Sequence, residues 1–293
     1  MKFGLEINEF TWPGGEGGMG HHLAEIGRRA EAAGFDSIWV WDHFIQLRRW
    51  EDPLLEGWLT LAFLAAATEH IQLGTLVTGV TYRHPAILVK QATTLDVLSG
   101  GRAWFGIGAA WNEREHHAFG VRFPPIRERF ELLEDTLRIA IRTWGGETSA
   151  FDGDRIHLSE QMDSPPPVQK PHPPILIGGG GERKTLRLVA KYAQATHQTT
   201  SNPDEFRHKM EVLQRHCEDL GRAYEEIQRF CGLDLSAPHG TQGEMAPPEI
   251  LLERARRLRD VDADGVFLVL PRVADSDSIE RFGEEVIRRA SDW

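Results

Sequence analysis

A regular alternation of short apolar runs with longer amphipathic segments constrains the fold of this chain most. Runs rich in Val, Ile, Leu and aromatic residues recur along the chain, and a segment with helical spacing follows each of them. After the first run, Leu23, Ile26, Ala30 and Ala33 repeat on one helix face, and Gly34 supplies a stop. This rhythm indicates successive βα units, which build parallel sheets.

Eight such units are present. The predicted strands are Phe3–Ile7, Ser37–Val40, Ile71–Val77, Ala103–Ile107, Ile175–Ile177, Gln194–Gln198, Ile227–Leu235 and Gly265–Val269. Eight parallel strands either close into a barrel or form an open doubly wound sheet, which needs an early phosphate-binding fingerprint. The only early glycine cluster, Gly14–Gly20, lacks that spacing. We therefore predict an α/β fold in which residues 1–293 form a single (β/α)8 TIM-type barrel.

The rhythm breaks once, between about residues 145 and 174. The stretch PPPVQKPHPP in this segment cannot sustain a helix, because proline removes backbone donors and clashes with the preceding turn. The segment follows the fourth βα unit. We expect it to be an insertion that lies over the barrel and shapes its pocket.

Charge and hydropathy exclude several classes of partner. The chain has 44 acidic and 33 basic residues, a net charge of −11, whereas a nucleic-acid partner requires a basic face. No stretch approaches the roughly 20 apolar residues of a membrane span, and the start MKFGLEI lacks the pattern of a signal peptide. We expect a cytoplasmic protein that binds neither nucleic acid nor membrane. The adjacent histidine pairs lack the usual metal-ligand spacing, so no metal is predicted.

Four consecutive glycines follow the fifth predicted strand directly. Gly178, Gly179, Gly180 and Gly181 precede a helical segment that carries Arg183. Backbone N–H groups without side chains can approach an anion, a helix N-terminus adds partial positive charge, and a nearby cation completes the match. A tight turn with positive φ is the simpler alternative, but it needs fewer glycines. The run therefore favours a phosphate site.

Two further strand ends carry candidate functional residues. The stretch Gly108, Ala109, Ala110, Trp111 and Asn112 follows the fourth strand, where its small residues would let a flat ring lie against the backbone.

The second strand ends in Asp42 and His43, a carboxylate beside an imidazole, which can bind and move a proton near neutral pH. Adjacent strand residues point to opposite sides, so we expect one of the two to face the ligand.

The third strand ends in Thr78, Gly79 and Val80. A glycine at such a strand end indicates a bulge where another group packs against the backbone. Arg83, shortly after it, suits either an anionic ligand or a salt bridge at the rim, and the sequence leaves both open.

These stretches together resemble the luciferase-like monooxygenase superfamily, and more closely its branch that uses the deazaflavin coenzyme F420. The resemblance is carried by Lys2–Leu5, Trp41–Phe44, Leu73–Pro85, Ser99–Arg102, Gly106–Glu113 and Ile175–Glu182. It implies a barrel with an insertion after the fourth unit. It also implies a cis non-proline peptide between Gly79 and Val80, in a bulge with Thr78 that supports one face of the deazaflavin.

The resemblance further implies roles for the candidate residues. The run Gly178–Gly181, with Arg183, would bind the cofactor phosphate, and Gly108–Asn112 would border the ring or the ribityl chain. Asp42 and His43 would lie near the reactive carbon. The sugar-phosphate dehydrogenases of this branch have an acidic residue at the position of Ala109, so a sugar-phosphate substrate is not expected.

We therefore predict a coenzyme F420-dependent oxidoreductase that transfers a hydride between the deazaflavin C5 and a small organic substrate, with His43 or Asp42 handling the proton. Phe10, Trp12 and Trp111 would wall the apolar substrate pocket. Two alternatives stay open: an FMN-dependent monooxygenase that uses reduced flavin and oxygen, and a non-catalytic flavin-binding protein. A homodimer and a separate reductase that supplies reduced cofactor are further open possibilities.

Overall fold

Eight parallel strands close into a barrel in the computed structural model, which describes residues 1–47, 49–238, 244–274, 276–290 and 293. The strands in chain order are β1 (Lys2–Ile7), β2 (Ser37–Val40), β3 (Gln72–Thr75), β4 (Thr78–Gly79), β5 (Ala103–Gly108), β6 (Phe151–Asp152), β7 (His157–Leu158), β8 (Ile175–Gly178), β9 (Ala195–Gln198), β10 (Gln228–Gly232) and β11 (Gly265–Leu268). Pairing runs β3-β2-β1-β11-β10-β9-β8-β5, and β3 pairs with β5 to close the circle. The predicted TIM-type barrel is confirmed.

Helices surround the barrel, and some of them begin or end at a capping residue. They are α1 (Met19–Ala33), α2 (Gly57–Ala67), α3 (Pro85–Leu98), α4 (Glu113–Ala118), α5 (Ile126–Trp144), α6 (Thr185–Tyr192), α7 (Pro203–Leu220), α8 (Pro248–Arg259), α9 (Ser278–Phe282) and α10 (Arg288–Ala290). Gly34 ends α1 in the left-handed conformation, and the Asn202 side chain accepts the backbone N–H groups of Asp204 and Glu205 at the start of α7. None of the described helices combines the length and apolarity needed to span a bilayer.

Large aromatic side chains fill the inside of the barrel. The rings of Trp39 on β2 and Phe230 on β10 both stack on the ring of Phe267 on β11, with centroid distances to Phe267 of 4.7 and 4.6 Å. Leu76 and Val77 pack against this cluster. The interior of the barrel is therefore a packed core rather than a pore.

The segment 145–174 does not lie over the mouth of the barrel, and this expectation is wrong. Its backbone N–H groups are held instead by buried carboxylates of the outer helices. Asp96 of α3 accepts from Val168 at 2.6 Å, and Gln169 Nε2 donates to the carbonyl of Ala103, at the N-terminal end of β5. Asp135 of α5 holds the hairpin of β6 and β7 in the same way. The segment therefore packs against α3 and α5, and its part at Val168 and Gln169 reaches the N-terminal end of β5.

The cis non-proline peptide lies between Leu76 and Val77, three residues before the predicted position. Gly79 cannot provide it, because Thr78 and Gly79 pair with β5 and the N–H of Val80 donates to the carbonyl of Gly108 at 3.0 Å. The bulge instead begins directly after β3, where the N–H of Leu76 still donates to Val40.

Candidate active site

A cavity of about 500 Å³ opens at the C-terminal ends of the strands. This volume lies within the range typical of small-molecule and cofactor sites. It is lined by Glu6, Trp41, His43, Leu47, Leu76, Val77, Gly79, Tyr82, Gly108, Ala109, Ala110, Trp111, Gly178, Gly179, Gly180, Gly181, Thr185, His197 and Thr199. The position is the one where TIM barrels assemble their active sites, since loops from many strands converge there.

The floor of the cavity is flat because glycines flank Val77. A Cβ at Gly108 or at Gly178 would lie 2.9 Å from a methyl carbon of Val77, closer than real contacts allow. Only glycine therefore lets the valine lie between β5 and β8. The resulting surface of backbone and small side chains can support a planar ring system.

The glycine run forms a cradle at one end of the cavity. Gly179 has a φ of 112°, which side chains rarely adopt, and a Cβ at Gly181 would lie 2.7 Å from Thr185 Oγ1. Within the described part of the chain, the N–H groups of Gly180 and Gly181 donate to no protein acceptor. They lie just before the start of α6, whose N-terminus adds positive potential. The cradle fits a phosphate group.

His43, which also lines the cavity, is part of a buried acid–base cluster. Its Nδ1 lies 2.7 Å from Oε2 of Glu115, and the hydroxyl of Tyr82 donates to the same oxygen at 2.5 Å. The other oxygen of Glu115 accepts the backbone N–H groups of Phe44 and Ile45. Glu115 is fully buried, whereas 13% of the His43 side chain is exposed.

The charge of Glu115 determines what His43 can do. Burial raises the pKa of Glu115, but the hydrogen bonds from His43, Tyr82 and the N–H of Phe44 outweigh this and lower the pKa overall. An ionised carboxylate requires Nδ1 of His43 to carry a proton. Nε2 is then the ring nitrogen that can accept a proton from a ligand or return it.

Glu6 is a second carboxyl group on the cavity wall. Its Oε1 accepts hydrogen bonds from Nε1 of Trp41 and from Nδ2 of Asn8. Burial raises the pKa of Glu6, and these two hydrogen bonds counter part of that effect.

Burial also lowers the pKa of His197, which lines the cavity, to about 3, so its ring is neutral and stacks on Phe267. The described residues that line the cavity include no Lys or Arg.

The cavity brings together many of the residues singled out in the sequence. His43, Gly79, Gly108, Ala109, Trp111 and the four glycines of the run all line it. The remaining candidates do not line it: Phe10, Trp12, Asp42, Thr78, Val80, Asn112 and Arg183.

These exceptions have local causes. Asp42 is fully buried, and Arg83 binds both of its oxygens, at 2.6 and 2.9 Å, so the rim salt bridge is the role that Arg83 takes. Phe10 is buried in the core with its ring 5.0 Å from that of Trp12. Thr78 Oγ1 is used by the indole N–H of Trp58.

Asn112 and Arg183 lie at helix starts outside the cavity. The Asn112 side chain caps α4 by accepting the N–H of Glu115. Arg183 is exposed just before α6.

Sequence reasoning did not assign Glu6, Tyr82 or Glu115 to the site. Of these three, only Tyr82 lies within one of the stretches that carry the family resemblance, Leu73–Pro85. Glu115 lies two residues beyond another of them, Gly106–Glu113.

Comparison with known proteins identifies the class of this barrel. The model of the luciferase-like monooxygenase family matches residues 1–239, and the chain therefore belongs to that family. An F420-dependent glucose-6-phosphate dehydrogenase of Kineococcus radiotolerans is 36% identical over 174 residues, which are 58% of this chain and 49% of that protein. The matches thus extend over about half the length of such curated relatives.

Solved structures of two chemical classes share the fold. A coenzyme F420-dependent tetrahydromethanopterin reductase from Methanopyrus kandleri aligns with a TM-score of 0.80 at 19% identity, covering 98% of this chain and 99% of that one. A monooxygenase from Streptomyces bottropensis aligns with a TM-score of 0.81 at 18% identity, covering 99% of both chains. At these identities the likeness concerns the fold alone.

Proposed function

We propose that this protein is a coenzyme F420-dependent oxidoreductase that transfers a hydride between the deazaflavin C5 and a small organic substrate. The observation that carries the proposal is one cavity that joins a phosphate cradle, a flat floor and an oriented histidine. The F420-dependent dehydrogenases among its relatives support the choice of cofactor.

Each part of the cavity has a task in this proposal. Gly178–Gly181 bind the cofactor phosphate through backbone N–H groups, and Val77 with Gly108 supports one face of the ring. The bound cofactor supplies or accepts the hydride at C5. His43, oriented by Glu115, holds the proton at Nε2 that the substrate gains or loses.

The cavity walls suit an uncharged, apolar substrate. Trp41, Leu47, Tyr82 and Trp111 provide aromatic and aliphatic surface. A sugar phosphate needs a cation near its anionic group, and the described lining residues provide none. The proposed substrate is therefore a small alcohol, carbonyl compound or alkene rather than a sugar phosphate.

The experiment screens such compounds with oxidised and with reduced F420. Turnover is monitored through the absorbance of the deazaflavin. For any active compound, His43→Asn should lower kcat about 10²–10⁴-fold, because it removes proton transfer. His21→Asn, on the exposed face of α1, is the matched control and should retain full activity. Full activity of His43→Asn would contradict the assigned role. Absence of turnover with every compound would favour a non-catalytic flavin-binding protein.

We also propose that the protein is a homodimer that associates through α2 and α3. Helix α2 carries no charged residue, yet 75% of Leu59 and 46% of Phe63 are exposed, and Ile87 and Leu98 of α3 are exposed as well. Adjacent exposed apolar residues of this kind mark an association surface.

Light scattering coupled to size-exclusion chromatography should give twice the chain mass for the wild-type protein. The variant Leu59→Glu should give the mass of a monomer. Met162→Glu, at an equally exposed site in the segment 145–174, should remain dimeric. A monomeric wild-type protein would contradict the proposal.

A further inference from the structure

An ion-pair cluster lies immediately beside the glycine run. Oε1 of Glu182 accepts from Lys209 Nζ at 2.6 Å and lies 3.1 Å from Nε2 of His208. The backbone carbonyl of Glu182 is also bound, by Nε2 of His216 at 2.8 Å. All three partners belong to α7, so this helix fixes the residue that directly follows the cradle.

Lys209 is placed to reach the cradle itself. Its Cε lies 3.6 Å from the position that a Cβ of Gly180 would occupy, and 27% of its side chain is exposed. Gly180 is one of the two residues whose N–H groups have no acceptor in the described structure. A small rotation of the flexible lysine stem would therefore bring its ammonium group to an anion bound by these N–H groups.

We propose that Lys209, rather than Arg183, is the cation that binds the cofactor phosphate, and that Glu182 competes with the phosphate for it. This inference rests on the proposed function. The cofactor phosphate is a diester with one negative charge, equal to that of the Glu182 carboxylate, but the N–H groups of Gly180 and Gly181 hold it beside Lys209, so it displaces Glu182 from the lysine. After Lys209 has moved to the phosphate, the contact between His208 and the carboxylate of Glu182 remains.

The competition lowers cofactor affinity in a predictable way. Each binding event must break the contact between Glu182 and Lys209, and it leaves a carboxylate near a second anion. Removing the charge of Glu182 should therefore strengthen phosphate binding, whereas removing that of Lys209 should weaken it.

The test compares two deazaflavins that share the ring and the ribityl chain. One is 8-hydroxy-5-deazariboflavin 5′-phosphate, and the other is 8-hydroxy-5-deazariboflavin, which lacks only the phosphate. Both are titrated into wild-type protein, Lys209→Gln, Glu182→Gln and the control Arg183→Gln, with tryptophan quenching as the readout and melting temperature as the check on folding.

Lys209→Gln should bind the phosphorylated form about tenfold more weakly, the size expected for one charge-assisted hydrogen bond. Glu182→Gln should bind it several-fold more tightly, and Arg183→Gln should match the wild type. None of the three should alter affinity for the phosphate-free form. If Lys209→Gln weakens both ligands equally, or if Glu182→Gln weakens the phosphorylated form, the inference is wrong.

The role of Lys209 can be tested separately from the identity of the cofactor. If the wild type binds FMN and not F420, the same variants are compared on FMN and riboflavin, which differ only in the phosphate. The proposed cofactor would then be wrong while the role of Lys209 is still decided. Failure of the wild type to prefer either phosphorylated ligand over its phosphate-free partner overturns the inference.

Discussion

At the scale of single residues, Glu115 connects the catalytic histidine to the backbone around it. One of its oxygens binds His43 and Tyr82, and the other binds two N–H groups of the loop after β2. Glu115 is fully buried, so if its carboxylate were removed, these donors would lose their acceptor and no solvent could replace it. The carboxylate therefore both stabilises this loop and fixes the ring of His43.

Glu115→Gln is expected to lower the free energy of unfolding by about 1–3 kcal/mol near neutral pH, since the amide has only one accepting oxygen and its NH2 group would face donors that now bind the second oxygen. The pKa of Glu115 is lower in the folded protein than in the unfolded chain. Its carboxylate therefore stabilises the fold above the unfolded pKa, and this contribution is lost as pH falls through the folded pKa. The difference between variant and wild type should narrow in acid.

Urea denaturation at neutral and acidic pH measures this difference. The control is Glu113→Gln, two residues away on the same helix and 64% exposed, which should match the wild type. A difference that stays constant with pH would contradict the role assigned to the Glu115 charge.

The sequence identifies His43 but not its partners. Strand alternation predicts that only one of Asp42 and His43 faces the ligand, and the structure places His43 there and Asp42 against Arg83. Which of them faces inward depends on the register of β2 in the barrel, which a single sequence does not fix. Glu115 lies 72 residues from His43 along the chain, so only the closed barrel reveals their contact.

At the scale of elements, the segment 145–174 is attached to the outer helices by buried carboxylates. Asp135 of α5 is 1% exposed and accepts the N–H groups of Arg155 and Ile156, at 2.7 and 3.1 Å. These bonds hold the hairpin of β6 and β7, which has only two residues in each strand. The hairpin therefore depends on Asp135 more than on its own pairing.

Asp135→Asn should destabilise the hairpin by about 1–3 kcal/mol, because Oδ1 of Asp135 also accepts the N–H of Asp154, and an amide has only one accepting oxygen for these donors. Limited proteolysis should cut the variant within residues 145–174 faster than the wild type. Affinity for the cofactor should not change, since no described residue of this segment lines the cavity. Asp154→Asn, at an exposed position of the same hairpin, is the control. A loss of cofactor affinity would contradict the separation of segment and site.

The elements that sequence reasoning found are those with strong periodicity. Strand β5 is a continuous run of apolar residues and glycine bounded by turns, and α5 shows a clear amphipathic repeat. Helix α4 has six residues, which is too short for a repeat to be recognised. The path of the proline-rich segment was missed because buried anchors such as Asp96 lie far away in the sequence.

At the scale of the whole molecule, barrel closure creates the site. Residues at or just after the C-terminal ends of β1, β2, β3, β5, β8 and β9 meet at one mouth, above a core of stacked aromatic rings. The sequence predicted this mouth, because TIM barrels place their functional residues at strand C-termini. It could not predict how deep the cavity reaches or which side chains share it, since these depend on packing inside the barrel.

The most direct test of the whole account is a parallel titration of the purified protein with coenzyme F420 and with FMN at fixed salt. Trp41 and Trp111 line the cavity, so quenching of tryptophan fluorescence reports on its occupation. We predict tight binding of F420 and weak binding of FMN. Tight binding of FMN with weak binding of F420 would contradict it and indicate an oxygen-using flavin monooxygenase.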